Sequence, residues 1–442
     1  MGNLAIMMQS LGHDVHGSDG KLYPPMSDLL QQAKIKVFEG YSAQRLEKLN
    51  PDLVVVGNVI SRGNEEIEWL LNTKRYPICS LPELIHNQII GSRDSIVITG
   101  THGKTTTTAL TTYLLDINQQ KPGYFIGGAP KNYPSGANYG NANSPFVIEG
   151  DEYDSAFFDK RSKFIHYAPK ILIINNIELD HIDIFRDLQD IQRSFRHLIK
   201  LVPSNGYIIA NGDAENVRQL LPVSWAPTVF VGKSEHNDYI ICDEQFTAHG
   251  TQFTLRGKTE SISLTIPLFG EHNVRNVAMA TVAAKHYLGD LKNIDLSGFR
   301  GVKKRQEVIY NDQNTVIIED FAHHPTAIHE TICAIRQAFP GYHLITTFEP
   351  RSNTACSPCF QETFINSFRG SDEVYISEIF KNKSNALDIN LLANNIHYCP
   401  AHTTSQEKIK HDFPQKINGD KQVFLFLSNG DFGGVAKFLR PA

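Results

Sequence analysis

The run Thr99-Gly100-Thr101-His102-Gly103-Lys104-Thr105 holds the residue types needed to grip a triphosphate. Glycines let backbone N–H groups approach phosphate oxygens, the lysine can meet the terminal phosphates, and the hydroxyl beside it can ligate Mg²⁺. An apolar run, Ile96-Val97-Ile98, precedes it, and the Thr-rich segment after it is compatible with a helix. The turn therefore joins a strand to a helix N-terminus, whose partial positive charge favours anions. The spacing is GxxGKT, shorter than the usual GxxxxGK[ST], because Ile98 stands five positions before Gly103. Gly100, Thr101, His102, Gly103, Lys104, Thr105 and Thr106 are the candidate nucleotide-binding residues.

Further polar clusters follow apolar runs that read as strands. After Phe146-Val147-Ile148 come Glu149, Asp151 and Glu152, placed to hold Mg²⁺ opposite the phosphate loop. After Ile171-Leu172-Ile173-Ile174 come Asn175, Asn176, Glu178, Asp180, His181 and Asp183. His181, flanked by carboxylates, could be a metal ligand. Gly270-Glu271-His272-Asn273 opens an Ala-rich helix, and Asn273 suits a base or ribose. Arg305 could neutralise charge developing on a transferred phosphoryl group. Asp320-Phe321-Ala322-His323-His324-Pro325 closes another strand. Each has a plainer reading when taken alone: a solvated acidic turn, a structural histidine, a charged linker. Clusters after successive strands favour function, because open α/β sheets bind ligands at the carboxyl ends of their strands.

These clusters need a scaffold of parallel sheets. Short β-branched runs alternate with turns and helical periodicity through the chain, the signature of α/β units. The rhythm predicts three domains, residues 1–93, 94–303 and 304–442. Within the second, residues 225–268 alternate polar and apolar and are predicted to be antiparallel strands decorating the main sheet. The first domain opens unusually, with helical spacing at Leu4, Met7, Met8 and Leu11 and then a strand ending at Ser18-Asp19. The strand and Gly-rich turn that should begin a nucleotide-binding βαβ unit are missing, which points to a late start and would expose sheet edges.

Bulk properties exclude several classes. With 442 residues, 41% hydrophobic and 10% aromatic, the chain can build several cores. A net charge of −5 gives no reason to expect nucleic acid as a partner. Six scattered cysteines fit reduced thiols, and Cys356-Ser357-Pro358-Cys359 lacks the second pair a zinc site would want. No apolar run spans a bilayer and no signal peptide is evident, so no membrane insertion is expected and the cytoplasm is the expected location.

Taken together, the loop, the acidic cluster, Asn176 to Asp183, Gly270 to Asn276 and Asp320 to Pro325 resemble the Mur ligase family of peptidoglycan synthesis, over essentially the whole chain. Within the family, Tyr23 to Ser27, Gly57-Asn58, Glu152 to Phe164, Phe348 to Thr354 and Ser428 to Gly434 are similar to the branch that recycles a murein tripeptide. The resemblance implies a three-domain α/β architecture: a Rossmann-like N-terminal domain lacking its first strand, a central P-loop ATPase domain and a Rossmann-like C-terminal domain. It implies ATP and Mg²⁺ as cofactors. UDP-N-acetylmuramate and L-alanyl-γ-D-glutamyl-meso-diaminopimelate would be joined through an acyl phosphate, in a monomer or weak homodimer. The alternatives are L-alanine as the amine, or a nucleotide-binding relative with impaired UDP-sugar binding.

By the same resemblance, Lys104, His181 and Arg305 are catalytic, and Asn273, Arg305 and Asp320 join the loop in holding ATP. Thr105, Glu149, Glu152 and His181 bind metal. Asp19, Asn58, Arg351, Asn353 and Asp431 contact substrate. Arg196 occupies the position of the family's carbamylated lysine, so no such modification is expected.

Overall fold

The computed structural model describes all residues except 23–25, 181, 183, 354, 379–385, 418, 431 and 440–442. The opening helix α1 (Gly2–Ser10) is followed by β1 (His16–Asp19), β2 (Lys36–Glu39), β3 (Val54–Val56) and β4 (Ile78–Ser80). These four strands form two separate parallel pairs, β1 with β2 and β3 with β4, rather than one sheet. Leu4, Met7 and Met8 of α1 pack with Ile85 and Ile89 into the core of the next unit, which anchors this segment to it.

The central unit is a ten-stranded sheet. Its strands are β5 (Ser95–Thr99), β6 (Gly123–Phe125), β7 (Ala137–Asn138), β8 (Phe146–Glu149), β11 (Ile171–Ile174), β12 (Tyr207–Asn211), β13 (Thr228–Gly232), β14 (Tyr239–Thr247), β15 (Gly250–Arg256) and β16 (Ser261–Ile266). A small hairpin, β9 (Asp154–Ala156) with β10 (Asp159–Ser162), lies outside it. The spatial order is β16-β15-β14-β13-β12-β11-β5-β8-β6-β7. The alternating segment forms β14, β15 and β16, which pair antiparallel and extend the main sheet. Before them, β13 pairs parallel with both neighbours, a difference from the all-antiparallel expectation for that segment.

Continuous apolar runs are explained by cover on both faces. Ile96, Ile98, Ile171 and Ile173 pack under helix α2 (Lys104–Ile117) and helix α4 (Glu271–Leu288). Val97, Leu172 and Ile174 face the other way, against Phe195 and Leu198 of α3 (Leu188–Ile199). Successive strand residues point to opposite faces, so one run serves two cores.

The last unit is a six-stranded sheet of β17 (Glu307–Asn311), β18 (Thr315–Asp320), β19 (His343–Phe348), β20 (Glu373–Ser377), β21 (Ala401–Thr404) and β22 (Gln422–Leu427). Its order is β17-β18-β22-β19-β20-β21, parallel except for the edge strand β17. Val316 and Ile318 pack with Ile328, Ile332 and Ile335 of α5 (Pro325–Ala338) on one face. Ile317 packs with Phe424 and Phe426 on the other. No helix among the described residues is long and apolar enough to cross a membrane.

Candidate active site

In the central sheet β5 has β8 on one side and β11 on the other. This is a topological switch point, where the loops leaving neighbouring strands diverge and open a crevice. Gly100, Glu149 and Asn175 stand at the carboxyl ends of these three strands.

Two glycines make the phosphate loop possible. Gly100 has φ +132° and Gly103 φ +82°, which L side chains rarely adopt. A Cβ at Gly103 would lie 2.5 Å from Asn276 Oδ1, and one at Gly100 would lie 3.0 Å from Asn175 Cβ and Asn176 N. The loop is also tied to the turn after β11. Thr101 N donates to Asn176 O at 3.3 Å, His102 N to Asn176 Oδ1 at 2.8 Å, and Glu178 N to Thr101 Oγ1 at 2.9 Å.

Helix α2 carries Thr residues that a solvated helix would not favour. They are buried, and Thr108, Thr111 and Thr112 satisfy their hydroxyls by donating to the carbonyl four residues back, each at 2.8 Å. Thr107 instead starts an amide chain. Asn175 Nδ2 donates to Thr107 Oγ1 at 3.0 Å, and Thr107 Oγ1 donates to Asn276 Oδ1 at 3.1 Å. Asn276 Nδ2 donates to Asn273 Oδ1 at 3.1 Å, and Asn273 Nδ2 donates to Gln306 Oε1 at 2.9 Å and to Phe269 O at 3.0 Å. Gln306 N then donates to Asp320 Oδ2 at 2.7 Å. One buried chain thus runs from the phosphate loop's helix to the last unit's first parallel strand.

The charged groups meet at Thr105. Its hydroxyl lies 2.9 and 3.2 Å from the two oxygens of Glu149 and accepts from the Arg305 guanidinium at 3.1 Å. Gly127 N also donates to Glu149, at 2.8 Å. Burial, reinforced by Asp151, pushes the Glu149 carboxyl upward against the pull of Lys104 and Arg305. Lys104 Nζ sits 2.9 and 3.1 Å from the oxygens of Glu152 and donates to Gly100 O at 2.7 Å. Burial opposes its charge, yet Glu152 and Asp151 outweigh that and hold the ammonium above its ordinary pKa. Asp320 accepts from Gln306 N and from Ala322 N, both at 2.7 Å. Burial raises its carboxyl although Arg305 pulls it down.

A cavity of about 330 Å³ lies between the central and last units. Thr101, His102, Gly103, Lys104, Thr105 and Thr106 line one wall, with Glu149 beside them, and Asn273, Arg305 and Asp320 line it elsewhere. Glu152 is buried behind Lys104 as its ion-pair partner. Asp19 is the exposed last residue of β1, Asn58 lies in the exposed turn after β3, and Arg351 and Asn353 lie in the exposed segment after β19. None of these four lines the cavity. Arg351 does pack on Gly430, near the buried carboxylate of Glu349, 3.9 Å away. His181 and Asp431 lie outside the described residues. Arg196 is exposed on α3, and of the CxxC pair Cys356 is buried while Cys359 is exposed.

Asn175, Glu178 and Asn276 lay inside runs already singled out but were given no role of their own, and Gln306 was not named at all, although each holds part of this site. The sequence signal of Gln306 is only a polar residue beside the suspected Arg305.

A phosphate loop facing a buried carboxylate and two histidines of a second α/β unit, across one shared cavity, is the arrangement of a phosphate-binding site shared by two units. The comparisons say which class of enzyme it serves. Residues 1–90 match the model described as Mur ligase family, catalytic domain, and residues 98–284 the Mur ligase middle domain. The chain is 37% identical over 98% of its length, and 94% of the relative's, to the UDP-N-acetylmuramate–L-alanyl-γ-D-glutamyl-meso-2,6-diaminoheptandioate ligase of Escherichia coli. It is 31% identical, over 98% of its length and 92% of the relative's, to the UDP-N-acetylmuramate–L-alanine ligase of Streptococcus suis. A crystal structure of a murein peptide ligase from Psychrobacter arcticus superposes with TM-score 0.71 at 32% identity, covering 99% of this chain and 95% of that one. The chain belongs to the Mur ligase family and is an ATP-dependent ligase that forms amide bonds.

Proposed function

We propose that this chain joins the amine of L-alanyl-γ-D-glutamyl-meso-diaminopimelate to the lactyl carboxylate of UDP-N-acetylmuramate, in peptidoglycan recycling. The observation that carries it is the 37% identity, over nearly the full length of both chains, to a ligase named for that substrate pair. The runner-up amine, L-alanine, rests on the lower identity of 31%.

The lactyl carboxylate attacks the γ-phosphorus of ATP, giving an acyl phosphate and ADP. The tripeptide amine then adds to the acyl carbon, and phosphate leaves from the tetrahedral intermediate with loss of the amine proton. Lys104 and the loop N–H groups bind the phosphates, and Arg305 offsets charge that builds on the transferred group. Breaking the Lys104–Glu152 pair frees the ammonium for that work. Gln306 and Asn273 hold Asp320 and the α4 wall in place, so that the two units present their halves of the nucleotide site together.

The donor set at Thr105 and Glu149 fits Mg²⁺. Both oxygens of a half-buried carboxylate face a hydroxyl, and burial with Asp151 holds that carboxyl above its ordinary value, so a cation would be favoured there. Bound there, Mg²⁺ would neutralise phosphate charge. His181 is assigned to metal by family resemblance alone. Domain limits near residues 93 and 303 and the substrate roles of Asp19, Asn58, Arg351, Asn353 and Asp431 belong to the same proposal, as do the cytoplasmic location and a monomer or weak dimer.

The test is ADP release from UDP-N-acetylmuramate with each amine in turn. Turnover with the tripeptide supports the reading. Turnover with L-alanine alone replaces it with the runner-up, and turnover with neither amine nor carboxylate marks a plain ATP hydrolase.

A further inference from the structure

Beside the nucleotide cavity, His102, Glu178 and His324 bring one ligating atom each within 4.8 Å of one another. They come from three places: the phosphate loop, the turn after β11, and the residue that caps α5 in the last unit. His102 Nε2 lies 3.7 Å from Glu178 Oε2, and His324 Nδ1 lies 3.9 Å from the same oxygen. Both separations are too long for good hydrogen bonds. They are close to the roughly 3.4 Å between ligand atoms around a tetrahedral metal with bonds of about 2.1 Å.

A second observation concerns unmet bonding capacity. The Nε2 atoms of His102 and His324 are both buried without a hydrogen-bond partner. His324 is only 5% exposed. Buried polar atoms are ordinarily satisfied, so these orphaned nitrogens call for an explanation. The orphan of His102 is the atom that faces Glu178, while His324 faces the carboxylate with Nδ1, which accepts only a long contact from Thr326 N at 3.4 Å. The carboxylate is already oriented: Thr326 Oγ1 donates to Glu178 Oε2 at 2.8 Å. Ligating carboxylates are commonly held by such an outer hydrogen bond. Nearby, the ring of His102 packs against that of His324 with centroids 4.8 Å apart, and Phe360 lies edge-on to His324 at 5.2 Å.

We infer that His102, Glu178 and His324 form a binding site for a divalent transition metal of the zinc class, at the seam between the phosphate loop and the last unit. Two imidazoles and one carboxylate suit Zn²⁺ or Co²⁺, whereas Mg²⁺ prefers oxygen ligands in an octahedron. Three protein ligands leave a fourth tetrahedral position for water or a ligand oxygen. This site is separate from Thr105 and Glu149, where the ligase reading places Mg²⁺. A metal here would cross-link the loop to the last unit and hold the cavity walls together.

The experiment is titration of the full-length chain with Co²⁺, in excess Mg²⁺ and without nucleotide, followed by visible absorption, with Zn²⁺ competition by equilibrium dialysis. One equivalent of Co²⁺ should give tetrahedral bands that Zn²⁺ abolishes. Glu178→Gln and His324→Ala should each weaken binding at least about tenfold, and Thr326→Val, which keeps all three ligands, about tenfold. Glu149→Gln should leave it unchanged. Circular dichroism shows whether each variant is folded, and Thr326→Val carries the test if His324→Ala is not. Binding that survives both Glu178→Gln and Thr326→Val, or that disappears in Glu149→Gln, overturns the site. The readout involves no catalysis, so its failure leaves the ligase proposal standing.

Discussion

The ammonium of Lys104 lies 2.9 and 3.1 Å from the two carboxylate oxygens of Glu152, in a pair buried beside the phosphate loop. The lysine proposed to meet phosphate is therefore already neutralised within the protein. A nucleotide must replace one anionic partner by another.

That exchange predicts opposite effects on the empty and loaded protein. Glu152→Gln removes a charge-assisted hydrogen bond from a buried ammonium, which costs the empty protein about 1–3 kcal/mol. It also removes a carboxylate that competes with phosphate. Thermal melting should show a lower midpoint for the variant without nucleotide and a larger upward shift on adding ADP than in the parent. An ADP shift smaller than the parent's would rule out competition between Glu152 and phosphate.

The amide chain from Asn175 to Asp320 predicts coupling between its members. Asn276→Ala strands the Thr107 hydroxyl and the Asn273 carbonyl in a buried setting, at a cost of about 1–3 kcal/mol. Gln306→Ala strands Asn273 from the other side. Since the two act on one network, the double variant should fall short of the sum by about 0.5 kcal/mol or more. Urea unfolding of the four proteins measures this, and strict additivity would show that the chain does not act as a unit.

These partnerships also mark what could be read from one sequence. The phosphate loop was legible because strand, glycines, lysine and helix are consecutive, and local order alone fixes their geometry. Likewise Ile96 to Ile98 and Ile171 to Ile174 announce a sheet covered on both faces. Asn276 was legible only as the end of the Gly270 to Asn276 run, not by its role: its partner Thr107 is 169 positions away, and only the packing of α4 on α2 brings them together. Gln306 is similarly a neighbour of the suspected Arg305, with a role set by Asn273 and Asp320. The separation of β1–β2 from β3–β4 was not legible, because periodicity shows which strands exist and not which of them pair. His102 and His324 lay inside recognisable runs, but nothing local says that their rings meet.

For Mg²⁺, the geometry around Thr105 makes Glu149 the carboxylate that matters. Affinity for a fluorescent ADP analogue should rise when Mg²⁺ is added to the parent. In Glu149→Gln, the Mg²⁺ concentration needed for half that effect should increase by roughly tenfold or more. Because Glu149 is held high by burial, then Asp151, removing its charge should not weaken binding of ADP alone. An unchanged Mg²⁺ requirement would move the ion to other ligands.

Acid should loosen the seam between the central and last units through His324. Burial, then His102, hold its imidazole at about 4, against an ordinary value of 6.5. A histidine kept neutral in the folded state stabilises it fully above pH 6.5, and that contribution is lost as pH falls toward 4, because the unfolded chain binds the proton first. The full loss is up to roughly 3 kcal/mol for a shift of this size. His323, also at about 4 through burial, adds a loss of the same sign. Glu178 does not confuse the window. Although burial opposes it, the neighbouring His102, the hydroxyl of Thr326 and His324 hold its carboxyl at about 2, so its contribution is lost only below pH 4.5. Melting midpoints measured in chelator from pH 7.5 to 4.5 should therefore hold down to about pH 6.5 and decline below it, and His324→Gln should flatten part of that decline. If the variant and the parent lose stability at the same rate across this range, His324 is not the group that senses the acid.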